Sequence, residues 1–185
     1  LDVRFIERRS HPKYAWYHFL NKILALVEAE RVLNAERIAF LDCDVLVTKP
    51  PHEYLIPDDV DFSAAPSDEG AVGTTGPSCP HEKSWTRMCS LLGVAVEELP
   101  WVTTYLEEMR IRLYWNSGVY VYRPSTGFAL KYMADCLKVL DAREGFQHGG
   151  ELYVEQVVLG LSVVKHKLRW KHLPESHNYP IASFL

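Results

Sequence analysis

The stretch "RIAFLDCDVLVTKP", residues 37–50, limits the possible folds most sharply. It joins an uninterrupted apolar run to two acids, Asp42 and Asp44, with no basic residue after them until Lys49. A run that is apolar throughout, instead of alternating, is the pattern of a strand covered on both faces, as in an α/β sheet. Upstream, "YAWYHFLNKILALVEAERVL" places Tyr17, Leu20, Leu24 and Val27 at three- and four-residue spacings, which predicts an amphipathic helix ended near Asn34. "DVRFIE", residues 2–7, alternates as a short strand would. Strand, helix, strand reads as the start of a parallel pair.

Downstream, "VDFSAAP" predicts another strand. "SDEGAVGTTGPSCPHEKS" then gathers turn residues into a long loop, read as a mobile flap or as disorder. Its glycines, at 70, 73 and 76, match neither a dinucleotide fingerprint nor a phosphate loop. "VEELPWVTTYLEEMR" reads as mixed but helical, "GVYVY" as a strand, "GFALKYMADCLKVLDA" and "ELYVEQVVLGLSVV" as helices, and "LRWKHLP" as a closing strand. At least four strands interleaved with four helical segments predict one α/β domain with a mixed sheet. No linker divides it, and 185 residues suit a single domain.

Net charge is −4, and Lys and Arg occur in no cluster beyond isolated pairs, which argues against nucleic acid as a partner. A small anionic substrate would need a bound cation. Cys43, Cys79, Cys89 and Cys136 form no C-x-x-C pair and no zinc spacing. Reduced thiols in a cytoplasmic compartment follow, although an even count also allows two bridges. No apolar stretch approaches the ~20 residues of a membrane span and no leader opens the chain. The expected location is cytoplasmic, free or peripheral to a membrane.

Alternation along a strand sends residues i and i+2 to the same side, so Asp42 and Asp44 are expected to project together from the strand's carboxyl end. That edge of an open α/β sheet is where ligands bind. Two close carboxylates repel, and a hard divalent cation removes the conflict; magnesium or manganese then keeps positions for water and phosphate. The plainer alternative is a turn cap at one acid and an ion pair with Lys49 at the other. Lys22, on the helix ahead of the acids, is placed to reach donor phosphates or else lies on a solvated face.

"RIAFLDCDVLVTKP" resembles the D-x-D segment of GT-A glycosyltransferases, especially the glycogenin-like family that includes bacterial lipopolysaccharide glucosyl- and galactosyltransferases. The resemblance implies that Asp42 and Asp44 bind Mn2+ (or Mg2+), which holds the diphosphate of a nucleotide sugar. "YWNSGVYVYRP" is similar to the family's Asn-Ala/Ser-Gly-Val strand, which implies that Asn116 contacts the donor sugar while Ser117 and Gly118 allow close backbone approach. "YVEQVVLGL" resembles an Asp-Gln element, with Glu155 replacing the aspartate and Gln156 retained; by that likeness these two lie nearest the reacting face. "RWKHLPESHNYP" is similar to a strand ending in Leu-Pro and then Asn, matching Leu173, Pro174 and Asn178.

The implied fold is GT-A, a single mixed, mostly parallel sheet flanked by helices, spanning residues 1–185 as one catalytic domain. The family's first nucleotide-binding strand would precede Asp2, and its histidine metal ligand would follow Leu185; His177 stands nearest that role here. The implied reaction moves a sugar from a nucleotide-diphosphate donor, a UDP-sugar first, to a hydroxyl on a glycan, lipid-linked or protein acceptor, with retention. Asp68 would meet a sugar hydroxyl or cap a turn, and Trp101, Tyr105, Tyr114 and Trp115 would form a sugar platform or belong to the core.

Two rivals remain. Haloacid-dehalogenase-like phosphatases carry Asp-x-Asp-x-Thr/Val, but Leu46 stands at the last position here and Asp58 and Asp59 follow too closely to be the later acid pair. A GT-A-like domain that only binds a sugar or partner is the other. No G-x-S-x-G occurs, and Cys43, between the acids, is expected to face the core.

Overall fold

In the computed structural model, which describes residues 5–7, 9–146 and 150–179, the apolar run forms a strand over Ile38–Leu41 (β1), and the chain turns away at Asp42. The helix ahead of it, α1, spans Leu20–Val32 and buries Leu20, Ile23, Leu24 and Leu26; of the expected stripe Leu20 and Leu24 are buried in it, Tyr17 is buried just ahead of it, and Val27 is only partly buried. Three further helices follow: α2 Glu82–Leu92, α3 Phe128–Asp141 and α4 Val154–Lys165. The remaining strands are β2 Phe62–Pro66, β3 Trp101–Thr103, β4 Arg110–Arg112, β5 Trp115–Tyr122 and β6 Trp170–His172.

The main sheet has the order β1-β5-β2-β6, and β3 and β4 form a separate hairpin. β5 runs antiparallel to both β1 and β2, and β2 with β6 is the parallel pair. The sheet is mixed, as expected, but it is mostly antiparallel where a mostly parallel one was expected. The parallel inference needed a strand ahead of α1. Residues 5–7 are exposed and outside any strand, and residues 2–4 of that expected strand lie outside the described ones. β1 instead pairs with β5, which reaches it after the excursion through α2 and the hairpin.

Alternation along β5 divides the interior. Tyr120 and Tyr122 enter the large core with Ile38, Phe62 and residues of all four helices, while Val119 and Val121 enter a small one with Ile56, Val60, Ala65 and Leu173. The helices therefore cover one face together, and the opposite face is sealed by the loop carrying Ile56 and Val60, not by a helix. Pro57 in "YLIPDDV" favours this irregular path. The Arg123 guanidinium pins it, donating to the carbonyls of Ile56 (3.1 Å), Pro57 (2.9 Å) and Val60 (2.9 Å). At the same end Arg169 binds Asp61 and holds its carboxyl below the ordinary range.

Two readings of the middle of the chain are corrected. The loop after β2 is no flap: Gly70, Val72, Gly73 and Thr74 are buried, the Trp85 indole donates to the Val72 carbonyl at 2.8 Å, and the Arg112 amide donates to Thr74 at 2.8 Å. Its end is α2, whose Trp85, Met88, Cys89 and Leu92 form a buried stripe that Gly93, at φ +74°, terminates. The stretch expected to be helical contributes one 3-10 turn, Val96–Glu98, and then the β3–β4 hairpin. Pro100 cannot continue a helix, and Trp101, Val102 and Thr103 favour extended backbone. All four cysteines are free thiols, and Cys43 is exposed, not turned to the core.

Candidate functional site

The site forms where β5 departs from regular pairing. Ala64 pairs with Tyr120, and the next partners are Pro66 and Trp115, so the one intervening residue on β2 faces residues 116–119 on β5. A bulge of this kind re-aims side chains that a regular ladder would fix. On its other side β5 stays in contact with the end of β1, since the Asp42 amide donates to the Gly118 carbonyl at 2.8 Å. Asn116 folds back on the same turn, its Oδ1 accepting the Gly118 amide at 2.8 Å.

Gly118 is the centre of the arrangement. A Cβ there would stand 3.1 Å from Asn116 Oδ1, 3.3 Å from Asp42 Oδ2 and 3.4 Å from Asn178 Oδ1. Three oxygens from separate segments thus converge where this residue has no side chain. The Lys22 ammonium, on α1, reaches Asp42 Oδ2 at 2.7 Å and sits over the rings of Phe19 and Phe40. Their side chains are 18% and 28% exposed, so the pair is only partly screened by water. Asn178 Nδ2 is buried with no hydrogen-bond partner among the described residues. Lys22, Asp42, Asn116, Gly118 and Asn178, separated by up to most of the chain, lie together here.

The two acids do not share a strand face. β1 ends at Leu41, the Asp42 carbonyl accepts the Val45 amide at 3.1 Å, and both acids lie in the resulting turn. The alternation argument therefore does not apply to them. Asp44 is exposed, with no partner for its carboxylate among the described residues. Lys49 pairs with neither acid; Lys22 neutralises Asp42 instead. His177 directs Nε2 to Glu53 at 2.9 Å and lies against the Tyr54 ring. Glu53's own amide, with His177 beside it, keeps the Glu53 carboxyl below its ordinary value.

Among the described residues no group of three or more His, Cys, Asp or Glu side chains is gathered to hold a metal ion. A donor set of Asp42 and Asp44 fits magnesium or manganese nevertheless, because these ions commonly take one or two carboxylates and leave the rest to water and phosphate.

Glu155 and Ser117 lie in the interior, away from that opening. Glu155, 2% exposed, accepts the Ser117 hydroxyl at 3.0 Å on Oε2 and the Tyr132 hydroxyl at 2.7 Å on Oε1, and its amide donates to the Tyr17 hydroxyl at 2.9 Å. These bonds tie α4 to β5, α3 and the segment before α1. Nothing in the sequence pointed to Tyr17 and Tyr132 as its partners, since each reads as one more apolar stripe position. Gln156, the next residue, is partly exposed.

Burial pushes the Glu155 carboxyl pKa up, against the pull of the nearby Lys22 ammonium and the two hydroxyls. The folded chain therefore holds this proton more tightly than the unfolded one. That contribution is complete below the unfolded value near 4.5 and is lost as pH rises through the folded one. Glu155→Gln should flatten this loss, so between about pH 4 and pH 8 its stability falls less than that of the wild type. Glu155→Ala leaves the buried Ser117 hydroxyl without its acceptor and the Tyr132 hydroxyl with only the main-chain carbonyl of residue 155, at 2.9 Å, and should cost about 1–3 kcal/mol. Urea denaturation across that range measures both, and parallel pH profiles for wild type and Glu155→Gln would contradict the assignment.

The four aromatics singled out as a platform separate. Tyr114 and Trp115 are core residues, Trp101 stacks between Arg110 and Arg112, and Tyr105 faces Tyr179 at 6.4 Å between centroids. Asp68 is partly buried and caps no turn with its side chain, but its charge adds to the burial that moves the Tyr105 hydroxyl up to about 12. Leu173 is buried in the small core, and Pro174 begins the turn that delivers Asn178 to Gly118.

Among the described residues no helix is long and apolar enough to cross a membrane. The chain has no significant match among curated proteins or among solved structures. Residues 1–167 match the family model of the Rhodobacterales glycosyltransferase domain, a match that takes in Lys22, Asp42, Asp44, Asn116, Gly118 and Gln156. A match over that share of its length means that the chain belongs to the Rhodobacterales glycosyltransferase domain family.

Proposed function

We propose that the chain transfers a sugar from a nucleotide-diphosphate donor, a UDP-sugar first, to a hydroxyl acceptor by a metal-dependent, retaining reaction at the Gly118 opening of a GT-A-type fold. Membership of a glycosyltransferase family implies a sugar donor and an acceptor, and gives no support to the phosphatase alternative. The observation that carries the finer reading is the convergence of Asp42, Asn116 and Asn178 oxygens around a side-chain-free position.

In this reading Asp42 and Asp44 hold Mn2+ or Mg2+. The ion, when bound, supplies positive charge to the departing diphosphate. Lys22 orients Asp42 through their 2.7 Å contact and adds a second positive charge near the phosphates. Asn116 has its carbonyl oxygen engaged by the Gly118 amide, which leaves its NH2 to donate to sugar hydroxyls. The unpartnered Asn178 NH2 offers further donors. Gly118 lets the sugar approach the backbone of β5. Gln156 is the member of the Glu155–Gln156 pair assigned to the reacting face, where positive charge develops at the anomeric carbon. Glu155 holds α4 and β5 in register beneath it. His177 stays on Glu53, so the metal set of this reading is Asp42 and Asp44 with water and phosphate.

Titration calorimetry of the protein with UDP-glucose and UDP-galactose, with and without manganese, tests the reading. Donor binding should weaken at least about tenfold when manganese is chelated, a loss of ~1.4 kcal/mol or more. Absence of any nucleotide-sugar binding in both conditions would sink it.

A further inference from the structure

Beyond Asp44 the chain does not return to the sheet at once. Residues 45–54 arch outward and, with Ser176 and His177 opposite, enclose a cleft of about 540 Å³. One wall begins directly after Asp44 and the other ends directly before Asn178, so both walls are joined to the cluster along the chain. Val45 and Tyr54 root the arch in the small core. Between them, Leu46 is 74% and Val47 52% exposed, and Leu55 beside the cleft is 68% exposed. Exposed aliphatic side chains gathered on one loop, beside a ligand site, are a costly surface unless something covers them.

The charges of this loop are one-sided. Glu53 is taken by His177, while Lys49 and His52 are exposed and form no ion pair among the described residues. Aliphatic side chains with the Lys49 ammonium and the His52 imidazole in one cleft complement an amphiphile that carries an anionic group.

We propose that this cleft is the acceptor site and that the acceptor is a lipid-linked glycan, with its phosphate between Lys49 and His52 and its hydrocarbon along Leu46 and Val47. The assignment rests on the reading of the adjacent cluster as the donor site. The glycan end then enters the opening at Gly118, and the chain end stays outside, against the membrane that carries it. No membrane-crossing helix is needed for such an arrangement, since contact through a few aliphatic side chains and cations gives reversible surface binding.

Calorimetric titration with dodecyl phosphate, below its micelle concentration, tests the cleft without requiring turnover, with ethyl phosphate and dodecyl maltoside as the chainless and uncharged controls. Dodecyl phosphate should bind at least about tenfold more tightly than either control. Leu46→Asp with Val47→Asp should abolish most of that gain, and Lys49→Ala should bring dodecyl phosphate down to the level of dodecyl maltoside. Both changed positions are exposed, so folding is not at stake. Equal binding of dodecyl phosphate and ethyl phosphate, or an unchanged affinity in the double variant, overturns the proposal. If UDP-sugars fail to bind while dodecyl phosphate binds as expected, the donor-site reading falls and the amphiphile cleft stands. If an acceptor carrying a phosphate-linked hydrocarbon chain is used with the same KM by the wild type and the double variant, the cleft assignment falls and sugar transfer stands.

Discussion

Asp42→Asn should reduce kcat/KM for sugar transfer roughly 10²–10³-fold, the equivalent of about 3–4 kcal/mol of lost charge stabilisation. The amide keeps the shape of the side chain and can still meet Lys22, but it removes the charge that Lys22 and the cation share. Its effect on stability is expected to be small, about 1 kcal/mol, because both side chains are partly exposed and the pair is screened. Separation of a large kinetic loss from a small thermodynamic one is the informative result. Asp44→Asn should leave stability unchanged, since its carboxylate has no partner among the described residues, and should raise the manganese concentration needed for half-maximal rate. Initial rates across a manganese titration, beside a urea melt of each variant, give the comparison. An Asp42→Asn protein working within about threefold of wild type at saturating manganese would remove this acid from the mechanism.

Gly118→Ala should abolish donor binding almost as completely while leaving the fold intact. The backbone of Gly118 is not in the left-handed region, so alanine meets no conformational penalty there. What it meets is crowding. A methyl group at 3.1–3.4 Å from three oxygens displaces Asn116, Asp42 and Asn178 together, and it fills the space through which a sugar would reach β5. Overpacking of this order costs about 1–3 kcal/mol in stability. Donor affinity should fall roughly 100-fold, about 2.7 kcal/mol, because all three contacts move at once. Gly118→Val should extend the loss and also disturb the Asp42 amide bond to the Gly118 carbonyl. Titration of the two variants with a UDP-sugar and manganese measures the effect, and wild-type affinity in Gly118→Ala would show that nothing binds at that opening.

The residues that the fold gathers around Gly118 are legible in the sequence alone. Asp42, Asn116, Gly118 and Asn178 stood out through ordered short motifs, and Lys22 through its place on the helix before the acids. Each motif is local, and local patterns survive in sequence. The roles inside the pairs were less legible. Glu155 and Gln156 are adjacent, but helical geometry turns one into the core, onto Ser117 and Tyr132, and leaves the other partly exposed. Asp42 and Asp44 looked equivalent until β1 ended one residue before the first of them.

Apolar periodicity and turn residues by themselves determined the α/β class and the elements α1, β1, β2, β5, α3, α4 and β6 in that order, because those elements are written in short local spacings. The antiparallel course of β5 between β1 and β2 was decided by tertiary structure, since strand direction depends on which distant partner closes the ladder and leaves no local mark. The packed loop before α2 and the β3–β4 hairpin were decided the same way, through Trp85 and Arg112 reaching carbonyls far along the chain. So was the cluster at Gly118: a glycine in the sequence is only a missing side chain, and the fold alone sets the Asp42, Asn116 and Asn178 oxygens around it.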